Sequence, residues 1–177
     1  MSTIVATSAP RVTNERLWTL IPAAKQATIA LGAAAEGAGL EAELLELVHL
    51  RCSQINGCAY CVQYHISNLQ EMGTAPAKIN LVVAWREAGI FSEREEAALA
   101  WAECLTLLAE THVPDADFEA AQAVFSEQEL ASLTAAVAAI NVWNRFSVAY
   151  RFAPEIDERD CQVNRPMLCA AGVETPV

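Results

Sequence analysis

Proline and glycine are scarce in this chain, seven of each in 177 residues, and apart from Pro22 and Gly32 they punctuate apolar-periodic segments from outside. Long stretches are therefore free of the usual helix breakers. Basic residues are also few, 11 lysines and arginines against 22 acidic residues, for a net charge of −11. That balance argues against a nucleic-acid surface and against adhesion to anionic membrane, and no basic run or aromatic-plus-arginine patch offsets it. A long apolar run is missing too. The longest nearly uninterrupted one, Leu133 to Ile140, falls well short of the ~20 residues a bilayer span needs. Residues Met1 to Pro10 lack a positive segment followed by an apolar one, so they do not read as a signal peptide. A cytoplasmic protein is the resulting expectation. In that compartment the six cysteines do not form a structural disulfide framework, and each needs its own reading.

What is abundant is apolar surface. Hydrophobic residues make up 54% of the chain and charged residues 19%. A chain this size buries roughly 70% of its unfolded surface. One domain is expected, with apolar area left over for a homo-oligomeric interface.

The apolar positions recur with helical spacing. Segment 13–35 carries Leu17, Leu20, Ile21, Ala24, Thr28 and Leu31, with Pro22 marking a kink or a split. Segment 41–53 repeats leucine and valine and stops before the Asn56-Gly57 turn signal. A third helix is expected from about Gly57 to Met72, with Gly73 as its stop, and a fourth from Pro76 to Arg86 or Ala88. Ser92 with Glu95, and Ser126 with Glu129, are capping-box patterns ahead of two further helices. A short helix over 115–124 lies between those two. No stretch alternates with period two for long enough to be a strand. The predicted fold is all-α, a bundle of about six to seven helices over residues 13–153. A flexible N-terminus (1–12) and a polar, proline-punctuated C-terminal tail (154–177) flank it.

Chemistry concentrates at Asn56-Gly57-Cys58-Ala59-Tyr60-Cys61, with His65 four residues beyond and Glu46 twelve residues before the first thiol. Two thiols at this spacing can close a disulfide, and the nucleophile is the thiolate. With a helix starting near Gly57, both cysteines fall in its first turn, where free N–H groups and the positive dipole end favour thiolate. Cys61 and His65 are i, i+4 neighbours. An antiparallel helix pair brings Glu46 alongside as a proton acceptor. Zinc is disfavoured because Cys161 and Cys169, eight apart, do not supply a second close pair. A c-type haem is excluded because Val62, not histidine, follows the second cysteine. No cofactor and no metal are called for. Cys104 sits on an apolar stripe and reads as core; Cys52 pairs with nothing at motif spacing. His49, three residues after Glu46, touches the site or makes a structural hydrogen bond, and the latter is the simpler expectation.

The stretch Glu46-Leu47-Val48-His49-Leu50-Arg51-Cys52-Ser53-Gln54-Ile55-Asn56-Gly57-Cys58-Ala59-Tyr60-Cys61-Val62-Gln63-Tyr64-His65 resembles the carboxymuconolactone decarboxylase-like superfamily, specifically its alkylhydroperoxidase D (AhpD)-like branch. The likeness continues through Trp85-Arg86-Glu87-Ala88, Phe91 to Glu95, Ala97-Ala98-Leu99 and Asn141 to Arg145, covering roughly residues 13–153. The E-x11-C-x2-C-x3-H spacing belongs to that branch; the lactone decarboxylases lack the cysteine pair. The resemblance implies an all-helical, oligomeric fold and thiol-dependent reduction of peroxides. Cys61 falls on the attacking position, Cys58 on the resolving one, and Glu46 and His65 on the proton relay. The best-studied members place a histidine between the cysteines where this chain has Tyr60, a poor base near neutral pH.

The implied partners are a hydroperoxide substrate, a dithiol reductant of the dihydrolipoamide or thioredoxin kind, and further copies of the chain as a dimer, trimer or hexamer. Two other readings stand beside this one. The first is a redox sensor or scaffold whose CxxC switches an interface, and the second a lactone-decarboxylase-like carbon-acid enzyme.

Overall fold

Helix α3 (Ala42–Ile55) runs through the centre of the protein because it is apolar on two of its three faces. Leu44, Leu45, Val48 and Cys52 point into one core cluster, where they meet Ala98, Trp101 and Ala102 of α7 (Glu93–Thr106) and Leu133, Val137 and Ile140 of α10 (Glu127–Tyr150). Leu47 and Leu50 point the other way. They pack against Leu69 of α4 (Ala59–Glu71) and against Ile79, Val82 and Trp85 of the segment that follows. The third face carries Glu46, His49 and Ser53, at i, i+3 and i+7, so polar side chains share one stripe. A helix buried on two faces and polar on the third fixes where that third face must look.

The computed structural model describes residues 9–36 and 39–156, and among these there are helices and no strand. The expected first helix is divided in two, α1 (Asn14–Leu20) and α2 (Pro22–Glu36). Pro22 cannot donate to the ladder and instead occupies the first turn of α2. The expected fourth helix is likewise broken into α5 (Pro76–Leu81), a 3-10 turn (Val82–Ala84) and α6 (Trp85–Ala88). A one-turn helix, α8 (Leu108–Thr111), precedes α9 (Asp115–Val124). Both capping boxes form: the Ser92 and Ser126 hydroxyls accept from the Glu95 and Glu129 N–H groups, and each glutamate accepts from its serine N–H in return. The all-α expectation holds.

Helix α10 packs against α2, α3 and α7, and α3 packs against α4 and α7. The Glu103 carboxylate of α7 ties three elements together. It accepts from Arg51 Nε of α3 at 2.6 Å, from Trp85 Nε1 at 3.0 Å, and from Arg86.

Trp143, Phe146 and Tyr150 of α10 are half-buried within the chain, packed against Leu17 and Trp18 of α1 and against Phe152. Trp18 stands edge-on to Trp143 and Phe146, with ring centroids 5.2 and 5.1 Å away, and Tyr150 stacks on Phe152. Asn141 is buried in an intrachain hydrogen-bond network. Arg11, within the expected flexible N-terminus, binds the end of α10: its N–H donates to Tyr150 O and its Nη1 to Ala149 O. Residues 1–8 and the tail from 157 on, with Cys161 and Cys169, lie outside the described residues. No described helix is long and apolar enough to cross a membrane.

Candidate active site

The redox loop begins as the end of α3. Asn56 closes the helix, Gly57 takes the left-handed conformation (φ 65°), the Gly57 N–H donates to Gln54 O and the Cys58 N–H to Ser53 O. This is a Schellman turn, and glycine at its left-handed position avoids the Cβ clash other residues meet there. The next residue starts α4. Cys58 is its N-cap, in extended conformation, and its Sγ accepts from the Cys61 N–H at 3.2 Å. The sequence placed both cysteines inside the first turn; Cys58 instead stands just before it, because the Schellman turn consumes Gly57. The two cysteines are joined as a disulfide, with Cα atoms 5.4 Å apart.

Behind the loop lies a chain of polar side chains. Asn56 Nδ2 donates to Asn141 Oδ1 (3.0 Å) and Asn144 Oδ1 (2.9 Å), both on α10. Asn144 Nδ2 donates to Ser53 Oγ, which donates to His49 O; Asn141 Nδ2 donates to Thr106 Oγ1, which donates to Cys52 Sγ. Satisfied buried networks of this kind rigidify what they hold. Cys52 is fully buried, and burial pushes its thiol up to about 12. Cys104 is also buried and its thiol is raised for the same reason.

In front of the loop is a cavity of about 600 Å³. Its apolar wall includes Trp18 of α1, Ile29 of α2, Ile140 and Trp143 of α10, and Phe152. Its polar end is made by Glu46, His49, Cys61 and His65. Cys61 lines this cavity, whereas Cys58 is not among its lining residues and is 1% exposed.

His65, on α4, is buried, and its Nδ1 lies 2.8 Å from Glu46 Oε2. Asn68 Nδ2 donates to the same oxygen at 3.2 Å. Burial by itself raises the Glu46 carboxyl, but the His49 and His65 imidazoles beside it outweigh burial and hold its pKa at about 2. Burial lowers the His65 pKa despite the carboxylate, so the ring is neutral near pH 7. A neutral ring donating from Nδ1 to Glu46 leaves Nε2 as an acceptor. The structure thus brings together Cys58, Cys61, His65 and Glu46.

Tyr60 offers no replacement base: burial raises its pKa, its hydroxyl accepts from Asn14 Nδ2 at 3.3 Å, and its ring stands edge-on to Phe152. His49 is the residue that sequence reasoning undervalued. The structural hydrogen bond expected of it is not made: Nδ1 is buried without a hydrogen-bond partner, 3.7 Å from Glu46 Oε1. Its ring centroid is 5.0 Å from that of His65. The i, i+3 spacing to Glu46 was the available signal. The donor atoms of Glu46, His49 and His65 lie within 4.8 Å of one another, close enough to approach one ion.

A helical domain that buries a cysteine pair at a helix start, with a carboxylate–imidazole pair facing the same cavity, defines a dithiol protein of the AhpD-like type. The chain belongs to the carboxymuconolactone decarboxylase family, whose model matches residues 22–103. The uncharacterized protein YdfG of Bacillus subtilis is 36% identical over 104 residues, 59% of this chain and 71% of that protein. A solved protein of unknown function from Agrobacterium tumefaciens, provisionally named an antioxidant defence protein AhpD, is 37% identical. It superposes with a TM-score of 0.78 over 84% of this chain and 100% of its own. The debrominase Bmp8 shares the fold at 19% identity, with a TM-score of 0.68 over 80% of this chain and 76% of its own. Family membership and the shared fold leave the reaction to be argued from the site.

Proposed function

We propose that the protein is a thiol-dependent hydroperoxidase in which Cys61 attacks and Cys58 resolves. One observation carries the assignment: Cys61 lines the cavity with His65 and Glu46, and Cys58 does not. In the reduced protein His65 Nε2 takes the Cys61 proton. The Cys61 thiolate attacks the outer oxygen of the hydroperoxide, a sulfur–oxygen bond forms, the O–O bond breaks, and the alkoxide leaves as an alcohol by taking the proton back. Cys61 is then a sulfenic acid. The Cys58 thiolate attacks its sulfur, closing the disulfide and releasing water once a proton is supplied. A dithiol reductant of the dihydrolipoamide or thioredoxin kind returns the pair to its starting state with two electrons.

The cap hydrogen bond from the Cys61 N–H to Cys58 Sγ suits the second step, since it stabilises negative charge on the resolving sulfur. Glu46 keeps His65 in the tautomer that leaves Nε2 free. The family likeness and the AhpD name of the Agrobacterium protein support the same chemistry. Several copies of the chain are expected to assemble, since Leu20, Ile29, Leu31 and Val148 remain exposed.

Replacing Cys58 with serine tests the order of attack. Treated with one equivalent of an organic hydroperoxide and a sulfenic-acid trap, Cys58→Ser is expected to carry the trapped adduct on Cys61, and Cys61→Ser to carry none. An adduct on Cys58 in the Cys61→Ser protein reverses the roles.

A further inference from the structure

We propose that Glu46, His49 and His65 bind a divalent first-row transition-metal ion, of the zinc or iron(II) kind, at the polar end of the cavity. Glu46 and His49 are three residues apart on α3 and lie on its one polar face. A Glu-x-x-His pair projecting inward from one helix is a recurrent half of metal sites in helical bundles. His65 crosses from α4 to complete a set of two imidazoles and one carboxylate. That set leaves coordination positions open and suits zinc or iron(II) rather than magnesium or calcium.

The distances fit. Metal–nitrogen and metal–oxygen bonds of about 2.0–2.2 Å put neighbouring ligand atoms about 3.4 Å apart. Here Glu46 Oε1 is 3.7 Å from His49 Nδ1, Glu46 Oε2 is 2.8 Å from His65 Nδ1, and the whole set lies within 4.8 Å. The His49 side chain is the least enclosed of the three. A second observation points the same way: His49 Nδ1 is buried and lacks any hydrogen-bond partner. A buried polar atom left unpaired is costly and calls for an occupant. Asn68 Nδ2, bonded to Glu46 Oε2, already supplies the outer contact that orients a metal-binding carboxylate. The 600 Å³ cavity gives an ion a route in and room for a water or a substrate oxygen at its open positions.

None of these ligands is a cysteine, so the site is available while Cys58 and Cys61 are a disulfide. The consequence for turnover rests on the function proposed above. An ion there occupies the carboxylate and imidazole of the relay, so zinc should slow hydroperoxide consumption and a chelator should restore it. Binding itself does not depend on that function.

The test uses full-length protein, oxidised at Cys58–Cys61 and stripped with a chelator, titrated with Zn²⁺ by calorimetry and with Co²⁺ by visible absorption. One ion per chain is expected, with paramagnetic shifts of the His49 and His65 ring resonances in the cobalt form. His49→Gln should weaken binding by at least about tenfold, in the range lost when metal-site contacts are removed, and a Cys161→Ser/Cys169→Ser double variant should bind as the wild type does. No binding at micromolar ion overturns the proposal. So does a cobalt spectrum without shifts at the two rings, or one that disappears only in the Cys161/Cys169 variant. The ring shifts are read in the wild type, so the outcome does not hang on the folding of any variant.

Discussion

Cys58 and Cys61 are near neighbours with different surroundings, and single substitutions can read the difference. In the proposed mechanism the base is His65, which lines the cavity with Cys61. His65→Gln should therefore move the alkylation profile of reduced Cys61 to higher pH. Glu46→Gln should move it the same way by less, because the imidazole stays but loses the carboxylate that orients it. Iodoacetamide rates at fixed pH steps measure both, and profiles identical to wild type in the two variants would remove the relay from the account. Glu46 also has a stability signature. Its folded pKa of about 2 lies below the ordinary carboxylate value of about 4.3. Its stabilising contribution is thus complete above that value and is lost as pH falls through about 2. Urea unfolding followed between those limits should show Glu46→Gln losing less stability than wild type as acid is added. Cys52, raised to about 12 by burial, should stay unmodified in folded protein at pH 8 while reduced Cys61 reacts.

At the scale of elements, the loop joining α3 to α4 is held from behind by α10. Asn144 bonds both Asn56 and Ser53, so Asn144→Ala leaves buried polar groups unpaired and should cost about 1–3 kcal/mol. Chemical denaturation measures the loss, and a change below about 0.5 kcal/mol would show that the network holds nothing. Ser126→Ala, which removes the cap of the 24-residue α10, should cost about 1 kcal/mol. What the sequence made legible follows the range of the interactions. Glu46, Cys58, Cys61 and His65 stand out because their chemistry depends on short spacings along α3 and α4. The capping boxes at Ser92 and Ser126 and the Gly57 turn are equally local. The unpartnered His49 Nδ1, the folding of α1 over Trp143 and Phe146, and the burial of Asn141 depend on how α1, α7 and α10 pack. No periodicity in one segment reports that packing. The position of Cys58 was missed by one step because a glycine turn and a helix cap share adjacent residues.

For the whole molecule, 54% hydrophobic composition and the apolar side chains still exposed on α2 and α10 make assembly the expected state. Light scattering at low micromolar concentration should give a mass at least twice 19.1 kDa, and a mass near 19.1 kDa contradicts it. The fold itself carries more than one chemistry, since a debrominase shares it, so catalytic turnover decides what this chain does. The most direct measurement follows consumption of an organic hydroperoxide by the intact protein with dihydrolipoamide or reduced thioredoxin in excess. The account predicts many turnovers per chain, one dithiol oxidised for each peroxide reduced, and none in Cys61→Ser. A reaction that stops after one equivalent per chain would mark the pair as a sensor, and consumption that survives loss of both Cys58 and Cys61 would contradict the thiol mechanism altogether.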